Sequence, residues 1–201
     1  MRLGEARHDL YRRLAREQGY KSRAAFKLLE ANERYGIIRP GFRVLDFGAA
    51  PGGWLQVASE LVGPTGLAIG VDLSPIRLKE KNVVTFKMDV NDKTIPEKML
   101  QAMGGKADAI LSDLSPEVTG VWELDQTRQV DMTLRVLELA RTLLKEDGGV
   151  FCKLFEGERS QEVRDQFRLM FKSVRTVKPA ASRNAASELY YYSKGLKPVP
   201  A

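Results

Sequence analysis

The sequence predicts an α/β protein with a mainly parallel sheet and helices on both faces. Three observations lead there. Seven short apolar runs recur along the chain: "RVLDF", "LAIGVDL", "VVTFKMD", "ADAILSDL", "GVFCKLF", "SVRTVK" and "ELYYYS". Helical periodicity fills most of the gaps between them, and strands alternating with helices at this spacing make parallel sheets covered on both sides. The last two runs follow each other closely through "PAASRNAAS", which suits an antiparallel hairpin at one edge.

Taken in order, residues 1–40 read as a basic helical segment. In "SRAAFKLLEANERYG", Ser22 is placed to cap a helix, Phe26, Leu28 and Leu29 form its apolar stripe, and Gly36 ends it. Residues 41–195 carry the seven runs, all read as buried strands, with helices expected over 54–61, 93–103, 127–144 and 161–171. Residues 196–201 are a tail. The 201 residues suit one domain with a substantial core.

Composition narrows the classes. Hydrophobic residues make up 43% of the chain, as in soluble globules, and no apolar run approaches the ~20 residues of a membrane span. No secretory signal is visible, and a single cysteine, Cys152, rules out an internal disulfide; both suit the cytoplasm. With one cysteine and one histidine, no metal site is expected. The net charge of +6 is uneven: residues 1–27 carry +5 and residues 171–183 carry +4, so the remainder is mildly acidic. Basic ends of this kind fit a polyanion such as nucleic acid, or else are solvated helix faces.

Ligands of such sheets bind beyond the carboxyl ends of the strands, so the residues there matter most. The first strand runs into "DFGAAPGGW". This turn lacks the Lys-Ser/Thr of a P-loop, and Gly48, Gly52 and Gly53 do not match a dinucleotide fingerprint. It leaves room for a ligand that has no phosphates. Asp72 ends the second strand about 20 residues on, where an acid can take ribose hydroxyls or, alternatively, cap a helix. Asp89 ends the third and reads as an adenine contact or a turn former. Asp113 ends the fourth, before a loop expected to reach about Thr127 and to serve as a binding lid. Lys153 lies inside the apolar fifth run, where a lysine needs a partner and is a natural candidate base. The tyrosines at 190–192 alternate across a strand and read as packing.

In order, "KSRAAFKL", "VLDFGAAPGGW", "GVDLSP", "MDV", "ILSDLSP", "CKLFEG" and "SRNAASELYYYS" resemble the FtsJ/RrmJ family of S-adenosylmethionine-dependent RNA 2′-O-ribose methyltransferases. The likeness runs from about His8 to Gly195. It implies a Rossmann-like methyltransferase fold of seven strands, the last antiparallel. It also implies S-adenosyl-L-methionine as cofactor and a catalytic tetrad of Lys27, Asp113, Lys153 and Glu188. The cofactor contacts it implies are Gly52, Trp54, Asp72, Asp89 and Asp113. One departure is Glu117 in the loop after Asp113, where the family commonly has asparagine.

On this resemblance Lys153 is either a general base, with Lys27 lowering its proton affinity, or a protonated cation that steers the ribose hydroxyl. Asp113 would orient Lys153, and Glu188 would hold Lys27 or the ribose. The expected substrate is a uridine of large-subunit ribosomal RNA. Alternatives are a tRNA anticodon-loop ribose and, with less support, a small molecule. No DNA or membrane partner is expected, and the chain is expected to act as a monomer, with both basic segments on the face of the active site.

Overall fold

The fold was established from a computed structural model, which describes residues 3–182 and 188–198. Helices α1 (Leu3–Glu17) and α2 (Ala25–Tyr35) precede strand β1 (Arg43–Phe47). Then follow α3 (Gly53–Val62), β2 (Leu67–Asp72), β3 (Val83–Lys87), α4 (Ile95–Met103), β4 (Ala107–Ser112) and α5 (Trp122–Leu143). The chain closes with β5 (Leu144–Phe155), α6 (Ser160–Met170), β6 (Phe171–Val177) and β7 (Glu188–Leu196). The strands form one sheet in the order β3-β2-β1-β4-β5-β7-β6. Only β7 runs against its neighbours, pairing antiparallel with both β5 and β6.

Strand alternation sends side chains to two cores. Leu45, Phe47, Ile69, Val150 and Cys152 pack with α4, α5 and α6 through Met99, Val136 and Phe167. Val44, Ala68, Leu111, Phe151 and Tyr190 pack with α2 and α3 through Leu28, Trp54 and Val57. The sheet order reverses between β1 and β4, the place where such sheets open a crevice at their carboxyl ends. Gly48 (φ 79°) makes the turn out of β1, and a Cβ there would lie 2.9 Å from the Leu114 backbone. The loop after β4 can close on β1 only because that position has no side chain.

Several local expectations change. Ser22 does not cap α2, whose first turn has no side-chain cap. It packs instead where a Cβ on Gly53 would meet its hydroxyl. β3 is an edge strand with half-exposed residues, so its apolar run is not a buried strand. Helix α5 begins at Trp122, five residues earlier than expected, because Asp125 in its first turn takes hydrogen bonds from the Thr119 N–H (2.9 Å), the Thr119 hydroxyl (2.8 Å) and the Gly120 N–H. The loop after Asp113 is correspondingly shorter and tied down.

Gly70 in β2 faces Leu55, and a Cβ there would come within 2.3 Å of the Leu55 side chain and 3.0 Å of Ala49 Cβ. Overpacking of this kind costs about 1–3 kcal/mol. Gly70→Ala is expected to lower the unfolding free energy in urea by that amount, and an unchanged midpoint would show that Leu55 yields freely.

Candidate active site

Five side chains from four segments meet where β4 and β5 end and β7 begins, against α2. Lys27 projects from α2, Asp113 follows β4, Lys153 lies in β5, and Glu188 and Tyr190 begin β7. The antiparallel register sets Tyr190 directly opposite Lys153. Lys27 Nζ donates to Glu188 Oε1 at 2.6 Å and to the Tyr190 hydroxyl at 2.9 Å. The Tyr190 hydroxyl donates in turn to Asp113 Oδ1 at 2.8 Å. The same carboxylate oxygen lies 3.1 Å from Lys153 Nζ, which also donates to the Asp113 carbonyl (2.8 Å) and to Ser115 Oγ (2.5 Å). Lys27 and Lys153 are only 5% and 4% exposed, so Lys153 does not snorkel from an edge. Its ammonium stands 5.9 Å from the Phe155 ring centroid, and that ring stacks with the exposed Trp122.

The charges decide the protonation states. Burial pushes the Asp113 carboxyl up, but Lys153 and Lys27 outweigh it and hold the group below its usual range. Burial drives the Tyr190 phenol well above its usual value, and the Asp113 and Glu188 charges push it further. Tyr190 therefore keeps its proton and relays hydrogen bonds between the two ion pairs. Burial raises the Cys152 thiol to about 12, which makes it core and not a nucleophile.

Beside this network a cavity of about 340 Å³ opens over the β1 turn, within the size range of small-molecule sites. Gly48, Ala50, Asp72, Asp89, Asp113 and Met132 are among its lining residues. Asp72 receives the Ala50 N–H at 2.9 Å and the Ser74 N–H at 2.7 Å, which fixes its carboxylate and leaves lone pairs for a ligand. No helix follows it directly, so it caps none. Asp89 does form a turn, accepting from the Asn91 backbone at 2.8 Å, and it lines the cavity as well. Gly52 and Trp54 do not line it. The Trp54 ring is buried, stacks 5.5 Å from Phe151, and donates its indole N–H to the Ala24 carbonyl at 2.7 Å. Any part these two residues play falls to the backbone at the amino end of α3.

Behind the cavity lies Asp46, fully buried, with no hydrogen-bond partner for either oxygen among the described residues. Burial, then the Asp113 and Asp72 charges, push its carboxyl well above the normal range. S-adenosylmethionine fits this setting. Its sulfonium and ammonium are cations, its ribose hydroxyls can meet Asp72, and the glycine turn leaves space against the backbone. A pyrophosphate would face carboxylates instead.

One of these residues escapes a reading of the sequence. Tyr190 is absorbed into an alternating aromatic run, although its position two residues after Glu188 puts both on one strand face. Asp46 has a visible signal, an acid inside an otherwise apolar strand. The basic ends also divide differently than expected. Lys172 sits toward the amino end of β5, next to the position where Ser173 pairs with Lys194 and Lys194 with Gly149; Arg175 lies opposite Tyr192 in the middle of the sheet, and Lys178 follows the site end of β6. A strand rising ~3.3 Å per residue spreads such charges over the full sheet. Arg2 and Arg183 lie outside the described residues.

The fold is that of a Rossmann-like methyltransferase, with a cavity that suits S-adenosylmethionine as methyl donor. The sequence profile of the FtsJ-like methyltransferase family matches residues 20–196, and the chain belongs to that family. It is 41% identical to the Ribosomal RNA large subunit methyltransferase E of Cenarchaeum symbiosum, over 98% of this chain and 100% of that protein. It is 40% identical to the protein of the same name from Nitrosopumilus maritimus, over 97% and 98%. A solved ribosomal RNA methyltransferase from Plasmodium falciparum superposes with a TM-score of 0.79 at 25% identity, covering 88% of this chain and 98% of that one. Fibrillarin from Aeropyrum pernix, solved with S-adenosyl-L-methionine, shares the fold at a TM-score of 0.61 and 19% identity, over 87% and 75%.

A carboxyl raised in the native state contributes stability below its unfolded value of about 3.9 and loses it as pH rises through the native value. Asp46→Asn removes that loss. The ligand-free variant is expected to melt above wild type at alkaline pH, by roughly 2–4 °C for each kcal/mol recovered. The gap should shrink on acidification, and a gap independent of pH would mean that Asp46 does not titrate in the folded protein.

Proposed function

We propose that this protein methylates a ribose 2′-hydroxyl of RNA, with a uridine of large-subunit ribosomal RNA as the acceptor. The observation that carries the reaction type is the Lys27–Tyr190–Asp113–Lys153 chain beside the carboxylate-lined cavity. The ribosomal substrate is supported by the names of relatives that align along almost their whole length. Because the five side chains of the network come from one chain, it acts as a monomer in this reading, and its place is the cytoplasm.

Bound S-adenosylmethionine supplies an electrophilic methyl group on sulfur. Asp72 holds the cofactor ribose, Asp89 meets the adenine, and Gly52 and Trp54 offer backbone N–H groups. Asp113 faces the cavity on one side and fixes Lys153 on the other. Lys153 already donates to three acceptors, which uses all three protons of an ammonium. That arrangement favours the steering role. Lys153 exchanges one of these bonds for the incoming 2′-oxygen, aligns it, and stabilises the negative charge that develops as its proton leaves to water. Lys27, anchored by Glu188, holds Tyr190 and Asp113 in place.

Asp72→Ala is expected to weaken S-adenosylmethionine binding by about 1–3 kcal/mol in calorimetry. Equal affinity would remove Asp72 from the site.

Lys153→Ala is expected to slow single-turnover methyl transfer by ~10²–10⁴-fold while cofactor and RNA still bind. Lys153→Arg should keep measurable activity above the alanine variant, because steering needs only charge and hydrogen bonds. Arginine cannot serve as a base, so an arginine variant as slow as alanine would favour proton abstraction by Lys153. Melting curves for both variants separate these outcomes from the roughly 3–5 kcal/mol that breaking a buried ion pair can cost.

A further inference from the structure

At the opposite end of α2 and β7 from the active site lies a second concavity of about 480 Å³. Its lining includes Arg34, Tyr35, Lys172, Arg175, Tyr192 and Lys194. An adjoining hollow shares Tyr192 and Lys194 and adds Arg39. Five cations thus surround two tyrosines, against two carboxylates, Asp147 and the Asp108 that pairs with Lys145. No ion pair joins any of these five cations to a carboxylate among the described residues, although surface pairs are made elsewhere by Arg135, Arg159 and Arg168. An aromatic ring gathers two of them. Arg34 and Arg175 stand 5.3 Å and 5.9 Å from the Tyr35 ring centroid, and the Tyr35 and Tyr192 rings lie 5.6 Å apart.

Like charges held this close repel one another, and a bound anion relieves that repulsion. We propose that this surface is a second RNA contact, which takes the phosphodiester backbone of the substrate beyond the methylated nucleotide. The inference rests on the reading of RNA as substrate and adds where the RNA goes. Three arginines offer planar forks suited to phosphate oxygens. Tyr192 is buried, but the Tyr35 ring is only half-buried and suits a base, which stacks with little regard to sequence. An acidic protein would match the charge but has no use for that ring.

Position sets the kind of RNA. Lys194 follows Tyr190 by four residues on β7, about 14 Å along a strand. Tyr35 follows Lys27 by eight residues on α2, about 12 Å along a helix. A single nucleotide cannot reach both places. The protein should therefore prefer an extended or folded RNA to a short fragment.

The test compares wild type with Lys172→Gln/Arg175→Gln/Lys194→Gln, all exposed positions away from the active site. The substrates are an in vitro transcript of large-subunit ribosomal RNA and a short oligonucleotide carrying only the methylated nucleotide and its neighbours. For the transcript, KM should rise about tenfold or more. The slope of log affinity against log salt should flatten by roughly 0.7 for each phosphate that the variant no longer neutralises. Saturated turnover, cofactor affinity, melting temperature and the oligonucleotide KM should stay as in wild type. Arg34→Gln/Arg39→Gln, from the helix side, should repeat the pattern. An unchanged transcript KM overturns the proposal, as does an equal loss with the oligonucleotide. So does a loss seen with whole ribosomal subunits and not with naked transcript, which would point to a protein partner. If wild type methylates no RNA, the proposed function fails first; an active wild type with an insensitive variant overturns this inference alone.

Discussion

Lys27 and Lys153 can stay buried because Asp113 stands between them. Two ammonium groups at 5% and 4% exposure would be intolerable side by side without opposite charge. Asp113 meets Lys153 directly and Lys27 through the Tyr190 hydroxyl, while Glu188 completes the balance from the far side of Lys27. The ion pairs and the phenol then form one hydrogen-bonded chain in which each member limits the rotamers of the next. Asp113 also lines the adjacent cavity. One side chain thus couples the buried lysine pair to the cavity beside it.

The sheet makes this meeting possible. Its order reverses between β1 and β4, so the turn after β1 and the loop after β4 diverge around a crevice. Reversal of β7 brings its first residues to the carboxyl end of β5, which places Tyr190 opposite Lys153 and Glu188 beside Lys27. A parallel β7 would have carried them to the other end. The same reversal leads β7 away from the site, so that Lys194 finishes among the cations at the far end of α2.

Asp46 shows what the site demands of the fold. A fully buried carboxyl with no hydrogen-bond partner among the described residues lowers stability, and nothing in the packing of β1 requires it. It stands within the influence of Asp72 and Asp113, both of which line the cavity. The destabilising group is thus concentrated beside the cavity, and the well-packed cores on both sheet faces offset it.

The seven strands, most of the helices and the acids at the strand ends were determined by the sequence itself. Local periodicity carries strands and helices, and covalent order carries the alternation that makes a parallel sheet. Lys153 was legible for the same reason, as a charge in an apolar run. Tyr190 was not, because its meaning lies in Asp113, 77 positions away, and a strand pattern records only which face a residue takes. The family resemblance implied Trp54 as a cofactor contact, yet helix orientation turned its ring into the core. Ser22 looked like a cap, and close packing against Gly53 claimed it. Lys172 looked like a neighbour of the active site until the direction of β6 carried it to the other end of the sheet, with Arg175 left midway opposite Tyr192. Contacts between distant segments, strand direction and helix rotation belong to the tertiary structure alone, since no local stretch of chain encodes the partner that a side chain will meet.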